Sequence, residues 1–279
     1  LDGLLSPGPP RPSPYTRPMP RPRIVAPVAA PLLVLAVLGG ACKEPEATPE
    51  PKGPEVVSVM VDVPDASVEQ LNDAAGVVRA RVMALDLQVG EIGWDDASIE
   101  VVVPAADEEL VRAALAPAGV IEFRPVLQTV TDGSQPLPLS EESPDGQAVA
   151  ATPDGVVYLL GPAAVDSSGV ESATATRRAS GGWAAHPALA EGPDGIEEFN
   201  ELAAECFAAS STCPAGDEGG KGMVAIVLDD VVLSAPSINA TGFERDQIQI
   251  CGEFDETSAL ALAAVLDGGP TATAWTVRD

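Results

Sequence analysis

The sequence predicts an α+β protein of two subdomains, a ferredoxin-like base and a mixed-sheet head. Three observations carry this. Residues 55–128 run through strand and helix periodicities in the order β-α-β-β-α-β, the split βαβ arrangement. Residues 129–154 are dense in turn formers and hold no sustained period, which marks a linker rather than a loop inside a compact domain. Residues 155–279 mix strands and helices without regular βα alternation.

In the base, Val57, Val59, Val61 and Val63 fall on one face of a strand, with Ser58 and Asp62 opposite. Ser67 and Gln70 have capping-box spacing and predict a helix start. Behind them Val68, Leu71, Ala75, Val78, Val82 and Leu85 recur at steps of three and four, the stripe of an amphipathic helix. Leu87–Trp94 and Ser98–Val103 read as strands about the Asp95-Asp96 turn. Pro104–Ala116 reads as a helix stopped by Pro117-Ala118-Gly119, and Val120–Leu127 as the closing strand. In the head (residues 155–279), Val156–Leu160 and the run from Trp183 to Leu189 are predicted strands. Gly195–Ala209 is a helix whose stripe is Ile196, Phe199, Leu202, Ala203 and Cys206. Met223–Leu228 and Val231–Ser234 form a hairpin about Asp229-Asp230. Gln247–Cys251 is a strand, Asp255–Asp267 a helix ended by Gly268-Gly269, and Thr271–Val277 a returning strand.

The N-terminal region points outward from the cytoplasm. Met19-Pro-Arg-Pro-Arg23 is a short basic head, Ile24–Leu38 is an apolar run of 15 residues with two prolines, and Gly39-Gly40-Ala41 precede Cys42. This is the layout of a secretory signal, and the run is too short to span a bilayer comfortably. A cysteine directly after small residues resembles a bacterial lipobox, so residues 19–42 are expected to be a signal ending in an acylated Cys42. Simple secretion after Ala41 is the alternative. Residues 1–18 are expected to lie ahead of the true start, and 43–54 form a Pro/Glu-rich tether.

Net charge excludes one class of partner. The chain carries 42 Asp and Glu against 15 Lys and Arg, a formal charge of −27, and four of those arginines precede Cys42. Such a surface repels phosphate backbones, so no nucleic-acid partner is expected. It attracts no anionic lipid heads either, which leaves acyl chains as the membrane contact.

No constellation for catalysis is legible, and no cofactor or metal is expected. His186 stands alone, no phosphate loop or nucleophile motif occurs, and the cysteine spacings fit no zinc pattern. The acidic pairs Asp95-Asp96, Glu141-Glu142, Glu197-Glu198 and Asp229-Asp230 are adjacent residues whose side chains diverge. Outside the cytoplasm two cysteines would oxidise. Cys206 with Cys213, across a short Ala/Ser loop, is the expected disulfide, and Cys206 with Cys251 is the rival. Ser234-Ala235-Pro236-Ser237-Ile238, after the hairpin, is where an extended chain could add to a sheet edge. Alternatively, Pro236 simply terminates the strand.

Several of these segments, in order, resemble the SecD family, accessory subunits of the protein-export channel. Ala225-Ile-Val-Leu-Asp-Asp-Val-Val-Leu-Ser-Ala-Pro236 is similar to its hairpin signature, with Asp230 at the turn glycine. Tyr158–Gly161, Gly182-Trp183, Gly195-Ile-Glu-Glu-Phe199, Ile250-Cys-Gly252-Glu-Phe254 and Gly268-Gly269-Pro270 resemble the pieces around it. Arg79–Leu85 and Val120–Arg124 resemble the base of the same periplasmic region. The resemblance implies a protein-export accessory on the outer face of the cytoplasmic membrane. Its partners would be the export channel or its membrane accessory subunits, and unfolded polypeptide. Trp183, Phe199, Asp229, Ser234, Ala235, Pro236 and Gly252 would be the motif and polypeptide-binding positions. SecD proteins carry membrane spans after this region. The sequence reads to Asp279 without one, so a stand-alone form is expected. A cell-envelope lipoprotein binding some other ligand is the competing expectation.

Overall fold

The computed structural model describes residues 55–95, 97–130, 146–216 and 219–278. The signal over 19–42, lipidation at Cys42, the tether and residues 131–145 of the expected linker lie outside the described residues. In chain order the base region contributes β1 (Val56–Asp62), α1 (Val68–Ala84), β2 (Ile92–Trp94), β3 (Ser98–Pro104), α2 (Glu108–Leu115) and β4 (Ile121–Val130). There follow β5 (Ala148–Ala151), β6 (Val157–Leu160), β7 (Val165–Asp166), β8 (Val170–Arg177), β9 (Trp183–Leu189) and α3 (Ile196–Phe207). The chain closes with β10 (Val224–Leu228), β11 (Val231–Ser234), β12 (Ile250–Cys251), α4 (Glu256–Gly268) and β13 (Thr276–Val277). The class is the mixed α+β one that the sequence predicts.

The first sheet has the order β13-β1-β3-β2. β1 and β3 run antiparallel with Val59 opposite Val101, so Val59, Val61, Val63, Ile99, Val101 and Val103 all point to one fully buried side. α1 begins at the expected capping box, where the Ser67 hydroxyl accepts from the Gln70 amide and the Gln70 side chain accepts from the Ser67 amide. Its stripe of Leu71, Val78 and Val82 packs on that sheet together with Val111 and Leu115 of α2.

One expectation fails here. The fourth strand of this sheet is not Val120–Leu127. β13 takes that edge, pairing Val277 with Val61 and Thr276 with Asp62. β4 leaves for a second sheet because its buried face carries Ile121 and Phe123, which belong to a different core. Trp275 anchors the returning chain: its indole Nε1 donates to the Leu115 carbonyl at 2.8 Å, and Arg278 pairs with Asp62.

The second sheet runs β10-β11-β5-β6-β4-β7, with β10 also pairing β4, so five strands close on themselves. Val126, Ala150, Leu160, Ala225, Val227 and Val232 fill their shared small core. β5 lies within the range read as linker, and its partners are β6 and, at Val231–Ala151, β11. The third sheet, β12-β9-β8, includes another strand that the sequence did not announce, β8. α4 explains its own composition. Ala261 and Ala264 pack in the core of the first sheet, while Leu262, Val265 and Leu266 pack with Phe123 and Phe199. A helix shared by two cores is apolar nearly all round.

Candidate functional site

The head is organised by α3. Its entry needs glycine at 195, because a Cβ there would sit 2.2 Å from the Ala190 carbonyl oxygen. Phe199, Leu202, Ala203 and Cys206 form the buried stripe. At its far end Cys206 is bonded to Cys213, with an S–S distance of 2.06 Å, and both are fully buried. Cys251 is free and half-buried. The local pairing holds and the rival does not.

The hairpin turn places Asp229 and Asp230 at φ 48° and 66°. Two successive left-handed residues make the primed turn that suits strand twist, and Asp tolerates it better than most side chains. Asp229 also has a second task. Its carboxylate accepts from the Gly119 and Val120 amides at 3.0 and 2.9 Å, fixing the loop that feeds β4. Beside that loop lies Arg81, fully buried in α1. Its guanidinium donates to the carbonyls of Ala114 (3.2 Å), Pro117 (2.6 Å), Ala118 (2.7 Å) and Gly269 (2.9 Å). It lies 5.2 Å from the Trp275 ring centre. Burial pulls this guanidinium down to about 10, and Asp229 partly offsets the pull.

Between β4, α3 and the segment after β11 lies a cavity of about 200 Å³. Phe123 and Phe199 meet edge-on at 5.6 Å, and Phe199 and Phe243 do the same at 5.6 Å. Ile226, Ile238 and Ile248 complete the apolar floor, and Asn239, Gln247 and Gln249 stand with Pro236 and Ser237 among its walls. None of the lining residues is charged, although the protein is strongly acidic. Asn200 holds the Phe243 loop by a reciprocal pair, Nδ2 to the Phe243 carbonyl at 3.1 Å and the Phe243 amide to Oδ1 at 2.8 Å.

The backbone beside this cavity is strand-like. The Val224 amide donates to the Pro236 carbonyl, and the Ile238 amide to the Gly222 carbonyl. Ser237 therefore faces Met223 in the non-hydrogen-bonded register. Its own amide and carbonyl point away from β10. Pro236 does not interrupt this pairing, because the side it turns toward β10 offers its carbonyl.

Of the positions singled out in the sequence, Phe199 and Pro236 line the cavity. Ser234 and Ala235 lead into it. Ala235 packs on the small barrel core, and the buried Ser234 hydroxyl has no hydrogen-bond partner. Asp229 sits at the hairpin tip. Trp183 lies at the end of β9, its amide 3.3 Å from the Phe254 carbonyl, and Gly252 lies in the turn beneath the Phe254 ring. These three do not line the cavity. Phe123, Phe243 and Asn200 were missed. Phe243 offered a faint signal, a lone aromatic in the polar run Thr241–Gln249. His186 contacts Thr176 Oγ1 at 2.8 Å. Among the described residues no group of three His, Cys, Asp or Glu is placed to hold a metal ion. No helix among them is long and apolar enough to cross a membrane.

Residues 147–272 match the family model described as SecDF, P1 head subdomain. No curated protein matches the chain. Two solved structures are similar in fold. SecDF in its super-membrane-facing form aligns with a TM-score of 0.53 at 21% identity, covering 80% of this chain and 29% of that one. A second SecDF structure, of a membrane component that enhances protein export, aligns with a TM-score of 0.52 at 22% identity. It covers 80% of this chain and 98% of that one. Residues 147–272 are thus similar to a SecDF P1 head subdomain, and the chain shares the fold of these two SecDF structures.

Proposed function

We propose that this protein works outside the cytoplasm as an accessory of protein export, its head binding unfolded polypeptide as it emerges, with Cys42 acylated to hold it at the membrane. The observation that supports the reading is the uncharged cavity beside Ser237. Its aromatic floor suits one apolar side chain, and the outward-facing Ser237 backbone offers hydrogen bonds to an added extended segment. A folded protein blunts or covers most exposed edges that combine apolar side chains with unpaired backbone groups; an emerging chain presents both along its length. The neutral amide rim adds polar contacts without a sequence requirement. The channel or its membrane subunits would be the second partner, reached through the fold shared with SecDF.

A permanently unfolded, reduced and alkylated protein tests this directly. The reading expects saturable binding to the purified protein, absence of binding to the same polypeptide when native, and about tenfold weaker binding for Phe243→Ala, which removes one wall of the cavity. Equal binding by the Ala variant, or none by the wild type, sinks it. A ligand that fills the cavity and leaves unfolded chains unbound would instead favour an envelope binding protein. Acylation is tested separately, by the mass of the native N-terminal peptide at Cys42.

A further inference from the structure

α3 turns a second face to a different cleft, of about 430 Å³. Its floor is apolar, from Pro125 and Leu127 of β4 and Leu202 of α3, and Glu198, Glu201 and Glu205 stand along it. The three glutamates are one helical face, at i, i+3 and i+7. Glu205 accepts from the Thr212 hydroxyl. Among the described residues, no Lys or Arg forms an ion pair with Glu198 or Glu201. The carboxylates are spread over about 10 Å of helix, at a rise of ~1.5 Å per residue. A single metal ion cannot bridge that span. Alternate residues of an extended chain are ~6.7 Å apart, so two or three positive side chains on one side of such a chain match the row. The apolar floor then receives their methylene stems while their charged ends reach the carboxylates.

We propose that this cleft binds extended polypeptide segments bearing lysine or arginine, so that the head prefers basic stretches of an unfolded chain to acidic ones. The inference rests on the polypeptide-binding reading above and deepens it. The apolar cavity takes Phe123 of β4 and Phe199 of α3, and the acidic cleft takes Pro125 and Leu127 of β4 and Glu198, Glu201, Leu202 and Glu205 of α3, so the same strand and helix line both.

The test uses short extended peptides with alternating Lys, Glu or Gln, and an uncharged apolar peptide, followed by fluorescence anisotropy. The Lys peptide is expected to bind most tightly and to weaken as salt rises through the range where the screening length falls below ~10 Å. The triple variant Glu198→Gln/Glu201→Gln/Glu205→Gln should weaken it about tenfold and leave the apolar peptide unchanged. A charge-matched control, Glu69→Gln/Asp73→Asn/Glu91→Gln, lies far from the cleft in sequence and removes the same charge. Loss of affinity in the control as large as in the triple variant overturns the proposal, because net charge alone would then account for binding. So does equal affinity for Lys and Glu peptides while the apolar peptide still binds, and that outcome leaves the export reading standing. If no unfolded peptide binds at all, the export reading falls first.

Discussion

Arg81→Met should be the most damaging single change that touches neither cavity. The guanidinium makes five hydrogen bonds to four carbonyls. These close the end of α2 and the end of α4, whose C-cap Gly269 sits at φ 76°. Methionine keeps much of the apolar stem and removes every donor. Five bonds at about 1–1.5 kcal/mol each are lost, with about 1 kcal/mol from the Trp275 face. Against this stands the relief of burying the charge. The fall of the guanidinium to about 10 corresponds to a cost of about 3 kcal/mol. The difference leaves a net loss of about 3–5 kcal/mol, the size expected when a buried charge network loses its centre. Urea unfolding followed by Trp fluorescence reads it as a midpoint about 1.5–2 M lower. Arg81→Lys keeps the charge and loses the planar fork, so most of the loss should remain. A midpoint within about 0.3 M of wild type for Met, or full rescue by Lys, would refute the reasoning.

Other outcomes follow from the same geometry. Cys206→Ser/Cys213→Ser opens a loop of sequence separation 7 and should cost about 2.5 kcal/mol in chain entropy, read as a lower urea midpoint that reductant no longer shifts. Gly119→Ala puts a Cβ 2.4 Å from Arg81 Nη2 at φ 90° and should lower the midpoint by at least half as much as Arg81→Met. The Asp255 carboxyl lies below its ordinary range because the Ser258 hydroxyl and amide donate to it. A depressed folded-state value means its contribution is present above the unfolded value and is lost as pH falls through the folded one. Amides in the first turn of α4 should therefore lose hydrogen-exchange protection in acid, and Asp255→Asn should abolish that dependence.

What the sequence disclosed was local. Ser67 and Gln70 announce a capping box because the groups that pair are three residues apart. Asp229-Asp230 announces a hairpin because turn geometry is set by those two residues. The disulfide closes over its own helix end. What it withheld was nonlocal or disguised. Nothing in Thr276-Val277 says that it will pair with Val61 and Asp62, more than two hundred residues away. β8 reads Val-Glu-Ser-Ala-Thr-Ala-Thr-Arg, polar enough on both faces to pass for a loop, and it is a strand because β9 supplies its partner. β5 hid among turn formers for the same reason. Arg81 stood between stripe positions Val78 and Val82, where a charged side chain reads as surface. Only the converging carbonyls of two helix ends make its burial tolerable. Within the candidate site, Phe199 and Pro236 were visible, but Phe123 and Phe243 join them only through the tertiary fold.

The most direct test of the account places a photoactivatable amino acid at Asn239, on the wall of the apolar cavity, in cells exporting a stalled substrate. The account predicts light-dependent crosslinks to the partly exported polypeptide, and their loss when Phe243→Ala is added. Crosslinks absent at Asn239 while a probe at Arg177, far from the cavity in sequence, captures the same substrate would contradict it.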